Sequence, residues 1–181
     1  LPLQLLWINL LTDGPPALAL GVDPPDPSLM ARPPRSPQDR MLSGRHLALL
    51  SARGIVIATA AVGALAIVRY AWHEPWASAR ASMFTVLVVA HLMYAFVVRS
   101  PGRRPFGRFT GNVALILAVA FGIGLQILIV AWPPAQRLFS TAPLSLRTWT
   151  LVAALGLAPI MVMLVTRLAA QRTTEAQTGQ A

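Results

Sequence analysis

"QLLWINLLTDGPPALALG", residues 4 to 21, decides how this chain is read. Its leucines, Ile8 and Trp7 make it apolar enough to enter a membrane, yet Asn9, Thr12 and Asp13 interrupt it and Gly14, Pro15 and Pro16 follow. Positions 9, 12 and 13 are spaced i, i+3 and i+4, so a helix presents them on one face. That face offers an amide oxygen, a hydroxyl and a carboxylate, all donors suited to a hard cation. A lone Asp at mid-bilayer costs at least about 2.5 kcal/mol on insertion scales, and a bound cation or proton offsets that cost. The prolines withdraw the N–H partners of the carbonyls around Leu11 and Thr12, and Gly14 permits a bend. A break in the helix is therefore expected at Gly14-Pro15-Pro16. Irregular backbone beside a midplane carboxylate is a recurring way to build an ion site. The residues alone leave a second reading open, an interfacial helix whose Asp13 faces water before a turn.

The rest of the chain favours the membrane. It has 181 residues, of which 55% are hydrophobic and 12% charged, and a mean hydropathy of +0.60. That profile indicates an all-α polytopic membrane protein. Cysteine is absent, which excludes disulfides, thiolate metal sites and cysteine nucleophiles. All 15 basic residues are arginine, so a Walker-type phosphate loop and a Schiff-base lysine are excluded too. The net charge of +9 sits in short loops between apolar runs, which topology explains and nucleic-acid binding does not. The chain opens on Leu1 with no basic stretch before its apolar run, so a signal peptide is not expected and a missing start is.

Five transmembrane helices are expected, at about 1–22 (the broken one), 46–70, 81–98, 111–132 and 148–168, followed by a polar tail at 169–181. The first loop carries Arg32, Arg35, Arg40 and Arg45, and the third carries Arg99, Arg103, Arg104 and Arg108. Arg167 lies just inside the last span and Arg172 follows it, whereas the second and fourth loops hold only Arg69, Arg80, Arg137 and Arg147. The positive-inside rule then places loops one and three and the C-terminus in the cytoplasm, with residue 1 near the outer face. Trp72, Trp76, Trp132 and Trp149 fit an outer aromatic belt. Arg53, inside the second span, is expected to snorkel to the cytoplasmic interface. In "WHEPW", residues 72 to 76, His73 and Glu74 lack the second histidine of a zinc-protease helix and receive no catalytic role. Gly63, Gly122 and Gly124 are expected at close helix contacts.

"LLWINLLTDGPPALALGVDPPDPSLMARPPRSP", residues 5 to 37, resembles the sixth transmembrane helix and following cytoplasmic loop of P-type cation-transporting ATPases, the calcium-pump branch above all. "LSGRHLALLSARGIVIATAAVGA" (42 to 64) and "ARASMFTVLVVAHLMYAFVVRS" (79 to 100) resemble the seventh and eighth spans, with the ninth over Asn112 to Trp132 and the tenth over Trp149 to Leu168, so the likeness extends over essentially the whole chain. The resemblance implies that Asn9, Thr12 and Asp13 supply oxygens to a transported cation, calcium or else manganese. It also places His91 where two-site calcium pumps carry a glutamate. An imidazole is a poor calcium ligand, so a one-ion stoichiometry is implied, and His91 is read as a buried polar residue or a proton-linked group.

The family's chemistry uses a DKTGT aspartate, a TGE loop and a nucleotide-binding domain, and none of these occurs in this sequence. No catalytic residue is therefore assigned. Alone, the chain is not expected to hydrolyse ATP, and ATP and magnesium enter only through a missing headpiece. The parent protein implied is a P-type ATPase. Its N-terminal part would be joined in the same chain or supplied as a separate subunit, with the lipid bilayer as surroundings and no nucleic-acid partner. The alternative is a truncated or decayed, non-enzymatic five-span membrane protein.

Overall fold

The computed structural model describes residues 2–23, 44–99 and 111–165. The arginines at 32, 35, 40, 103, 104, 108, 167 and 172, the proline-rich first loop and the tail at 169–181 lie outside the described residues. Within them every regular element is helical: α1 (Pro2–Gly21), α2 (Gly44–Ala66) running into a π-helical turn (Ile67–Ala71), α3 (Trp76–Arg99), α4 (Val113–Ala131), α5 (Pro133–Phe139) and α6 (Leu146–Gly156). Helix resumes after Leu157 and continues to Val165. Pro159 lies just beyond that interruption, and its missing N–H leaves the Leu155 carbonyl without its usual helical donor.

Among the described residues, four helices are long and apolar enough to cross a membrane: Leu47–Ala71, Trp76–Arg99, Val113–Ala131 and Leu146–Val165. α1 is not among them. Its 20 residues suffice in length, but Gln4, Asn9, Asp13 and the prolines dilute its apolar character.

The expected break at Gly14-Pro15-Pro16 is corrected by the structure. α1 is helical throughout, with Pro15 and Pro16 inside it. A proline deprives the carbonyl four residues back of its donor, yet the helix can carry on if neighbouring elements hold the backbone. Here Leu11, Thr12, Pro16 and Ala19 are buried, and α1 packs on α3 and α4. The carbonyls of Leu11 and Thr12 still lose their helical donors, because those would be the two proline nitrogens.

α3 is the central helix. Its most apolar stretch is 61% buried against 28–33% for the other three spans, because it packs on four neighbours. Phe84, Val88, Leu92 and Ala95 share one face of α3 at helical spacing and meet Leu11 of α1 with Leu115 and Val119 of α4. Val86 points the other way, into Ala60, Ala61 and Ala64 of α2 and Val152 of α6. Lipid is as apolar as leucine, so these contacts hold by close packing more than by hydrophobic transfer. Gly156 of α6 is one such place: a Cβ there would lie 2.5 Å from Val89 Cγ1. Gly122 is another, with Leu92 Cδ1 at 2.9 Å from the same imagined atom. Gly63 and Gly124 have open space instead, so only Gly122 of the three expected glycines sits at a tight crossing.

Both ends of the bundle are tied. At one end Arg99, at the foot of α3, grips Asp23 just past α1 through two 2.9 Å hydrogen bonds. Asn112, the N-cap of α4, donates to Asp23 Oδ1 and to the Ala19 carbonyl, and accepts from Leu115 N–H. At the opposite end Gln4 donates to the Phe139 carbonyl, and Trp7 stacks edge-on against Phe139. The turn between α2 and α3 is shorter than expected, since Trp76 already begins α3. Glu74 accepts from Ser145 there, and the Arg147 guanidinium lies 4.0 Å from the Trp72 ring.

Candidate functional site

The polar turn of α1 lies at the seam with α3. Thr12 is 9% exposed, with its hydroxyl donating to the Ile8 carbonyl at 2.8 Å and lying 3.5 Å from Asp13 Oδ1. The single hydroxyl proton serves the nearer carbonyl, which leaves the oxygen lone pairs free. Asp13 and Asn9 are both exposed. A cavity of about 210 Å³ opens between the helices, walled on the α1 side by Thr12, Asp13 and Pro16 and on the α3 side by His91, Tyr94 and Val98.

Thr12, Asp13 and His91 are thus brought together on one cavity, while Asn9 is not part of its wall. Pro16 faces the cavity, and neither Gly14 nor Pro15 does. Among the described residues, no three His, Asp or Glu side chains gather into a metal cluster. The donors on its wall are the Asp13 carboxylate, the Thr12 and Tyr94 hydroxyls and the His91 imidazole. His91 Nδ1 lies 2.8 Å from the Leu87 carbonyl one turn back. A carbonyl only accepts, so Nδ1 carries the hydrogen and Nε2 the lone pair of the neutral ring.

Two contributors escaped the reading of the sequence. Tyr94, one turn beyond His91 on α3, walls the cavity and receives a hydrogen bond from Arg53 Nη1 at 3.5 Å. Arg53 therefore reaches across from α2 to α3. The His91–Tyr94 spacing of three was the available signal. Gln126 is the second. It is 1% exposed in the middle of α4, accepts from Trp7 Nε1 at 3.1 Å and donates to Thr85 Oγ1 at 3.2 Å, joining α1, α4 and α3. A lone amide within so apolar a helix was the clue. A separate cleft of about 280 Å³, lined by Trp7, Leu125, Ile129, Trp132 and Phe139, is almost wholly apolar and offers a cation nothing.

Residues 1–169 match the family model described as "Cation transporting ATPase, C-terminus". The chain belongs to that family. Among similar proteins of this cation-transporting ATPase family, a calcium-transporting ATPase of Bacillus subtilis (strain 168) is 35% identical over 166 residues, covering 90% of this chain and 18% of the relative. Calcium-transporting ATPase 1 of Bacillus cereus is 31% identical over 190 residues, covering 93% of this chain and 21% of the relative. An endoplasmic reticulum-type calcium-transporting ATPase of Arabidopsis thaliana is 28% identical over 225 residues, covering 90% and 20%. The chain thus spans about a fifth of the length of these curated relatives. Its four membrane-length helices fit the cation ATPase C-terminal region as a multi-pass membrane unit.

Proposed function

We propose that this chain forms the C-terminal part of the membrane domain of an ATP-driven cation pump, and that Asn9, Thr12 and Asp13 bind the transported ion. One observation carries the reading: a carboxylate and a hydroxyl stand side by side on a mostly apolar cavity between α1 and α3. Calcium is the transported ion favoured by the relatives' names, with manganese the alternative for an oxygen-rich set.

α1 is taken as a fifth span. At 1.5 Å per residue its 20 residues reach roughly the 30 Å of a bilayer core. Asn9, exposed on α1 and off the cavity wall, could not face lipid without penalty. Its side of α1 is therefore the one to meet the remainder of the pump, in the same polypeptide or as a separate subunit. The carbonyls of Leu11 and Thr12, deprived of amide partners by Pro15 and Pro16, add backbone oxygens near the carboxylate, and a local opening of α1 during transport would expose them. With loops one and three and the C-terminus cytoplasmic, the first loop would abut the phosphorylated headpiece and relay its movement to Asp13. ATP hydrolysis belongs to that headpiece.

The test is Asp13→Asn in the assembled pump, a change that keeps the shape and removes the charge. Calcium-dependent phosphoenzyme formation is expected to disappear while the protein level and membrane insertion stay the same. Unaltered calcium dependence in a well-inserted variant would remove Asp13 from the site.

A further inference from the structure

The cavity beside Asp13 has a wall that the oxygen-donor reading leaves unused. His91 faces it from α3, opposite Thr12 and Asp13 on α1. Its Nδ1–H is committed to the Leu87 carbonyl at 2.8 Å, and no described residue bonds Nε2. This is how proteins orient an imidazole that ligates through its other nitrogen: the hydrogen bond selects the tautomer, fixes the ring plane and makes the free nitrogen more basic. Packing within α3 would account for the Nδ1 bond alone. It leaves Nε2 accessible on the cavity that Asp13 also lines.

Resting on the pump reading above, we infer that His91 Nε2 is a ligand to the transported cation, so that a first-row transition divalent ion gains more from this site than calcium does. Calcium takes six to eight oxygens and gains little from a nitrogen, whereas imidazole is a good ligand for the transition ions. Asp13 supplies the charge, Thr12 a hydroxyl oxygen and His91 the nitrogen that discriminates. Arg53 of α2, a positive charge from a packed neighbour, is engaged with Tyr94, with its guanidinium carbon 5.9 Å from that ring's centre.

The experiment compares the assembled pump with its His91→Ala and His91→Glu variants, reading the Mn²⁺ and Ca²⁺ concentrations that give half-maximal phosphoenzyme formation. His91→Ala is expected to raise the Mn²⁺ requirement on the order of tenfold or more and to change the Ca²⁺ requirement far less. His91→Glu, which substitutes oxygen for nitrogen, is expected to weaken Mn²⁺ and tighten Ca²⁺. Equal shifts for the two ions, or none, would overturn the inference and leave the pump reading standing. A wild-type protein that forms phosphoenzyme with neither ion would overturn both. Pulsed electron paramagnetic resonance of the Mn²⁺-loaded wild-type pump provides a readout independent of any variant's folding. A ¹⁴N coupling from imidazole supports the ligand assignment, and its absence refutes it.

Discussion

Arg99 and Asp23 form a two-pronged ion pair, with Nε to Oδ2 and Nη2 to Oδ1 both at 2.9 Å and the arginine side chain only 5% exposed. The pair joins the C-terminal ends of α1 and α3, and Asn112 brings the start of α4 to the same carboxylate. The cavity that holds Asp13 lies between α1 and α3, so this clamp governs how far apart its walls can stand.

The Asp23 carboxylate accepts two hydrogen bonds from Arg99 and one from Asn112. Asp23→Ala is therefore expected to destabilise the membrane unit by about 3 kcal/mol, measured as a fall in the unfolding midpoint in detergent. Arg99→Lys keeps the charge and loses the fork, so it should fall between that variant and wild type. A midpoint unchanged in both variants would show that the clamp contributes nothing.

Gly156 and Gly63 should respond in opposite directions to the same substitution. A methyl at Gly156 meets Val89, whose β-branched side chain is stiff in a helix, so α3 and α6 must separate. Gly156→Ala is expected to lose about 1–3 kcal/mol, and Val89→Ala in the same protein to recover part of it. Gly63→Ala, with nothing within 4 Å of the added atom, should gain up to about 1 kcal/mol from helix propensity. Equal responses at the two glycines would contradict the packing described.

Gln126 holds three helices with two hydrogen bonds. Interhelical hydrogen bonds in membranes average about 0.6 kcal/mol, so Gln126→Leu should cost about 1 kcal/mol in total. Trp7→Phe should cost less, and the double variant less than the sum of the two, because they share a bond. Strict additivity in denaturation by dodecyl sulfate would argue against the Trp7–Gln126 link.

Pro15 and Pro16 separate stability from function. Replacing both by alanine restores N–H partners to the Leu11 and Thr12 carbonyls. The double variant is expected to unfold later than wild type and to need more cation for half-maximal phosphoenzyme formation. A variant more stable and equally cation-sensitive would show that those carbonyls take no part in binding.

The membrane class, the helical content and the polar turn at Asn9, Thr12 and Asp13 were written in local sequence. Apolar runs of bilayer length and isolated polar residues within them are signals that require no knowledge of neighbours. The boundaries were less legible: Trp76 opens α3 and Pro133 opens α5, where loops were expected. Local rules also favoured a break at Pro15 and Pro16. The helix persists because Leu11, Thr12, Pro16 and Ala19 are buried against neighbours that no nearby residue names.

What only the tertiary structure decided is which distant residues share a surface. Thr12 and Asp13 face His91 and Tyr94, about eighty positions along the chain, across a cavity between two helices. Asn9 is left off that wall although it shares the helical face in sequence. Arg53 turns towards Tyr94, and Asp23 finds Arg99. The three-residue and four-residue spacings of a helix fix neighbours within one element. The rotation and register of α1 against α3 come from long-range packing, including Leu11 and Gly122 against Leu92, and they determine which donors meet.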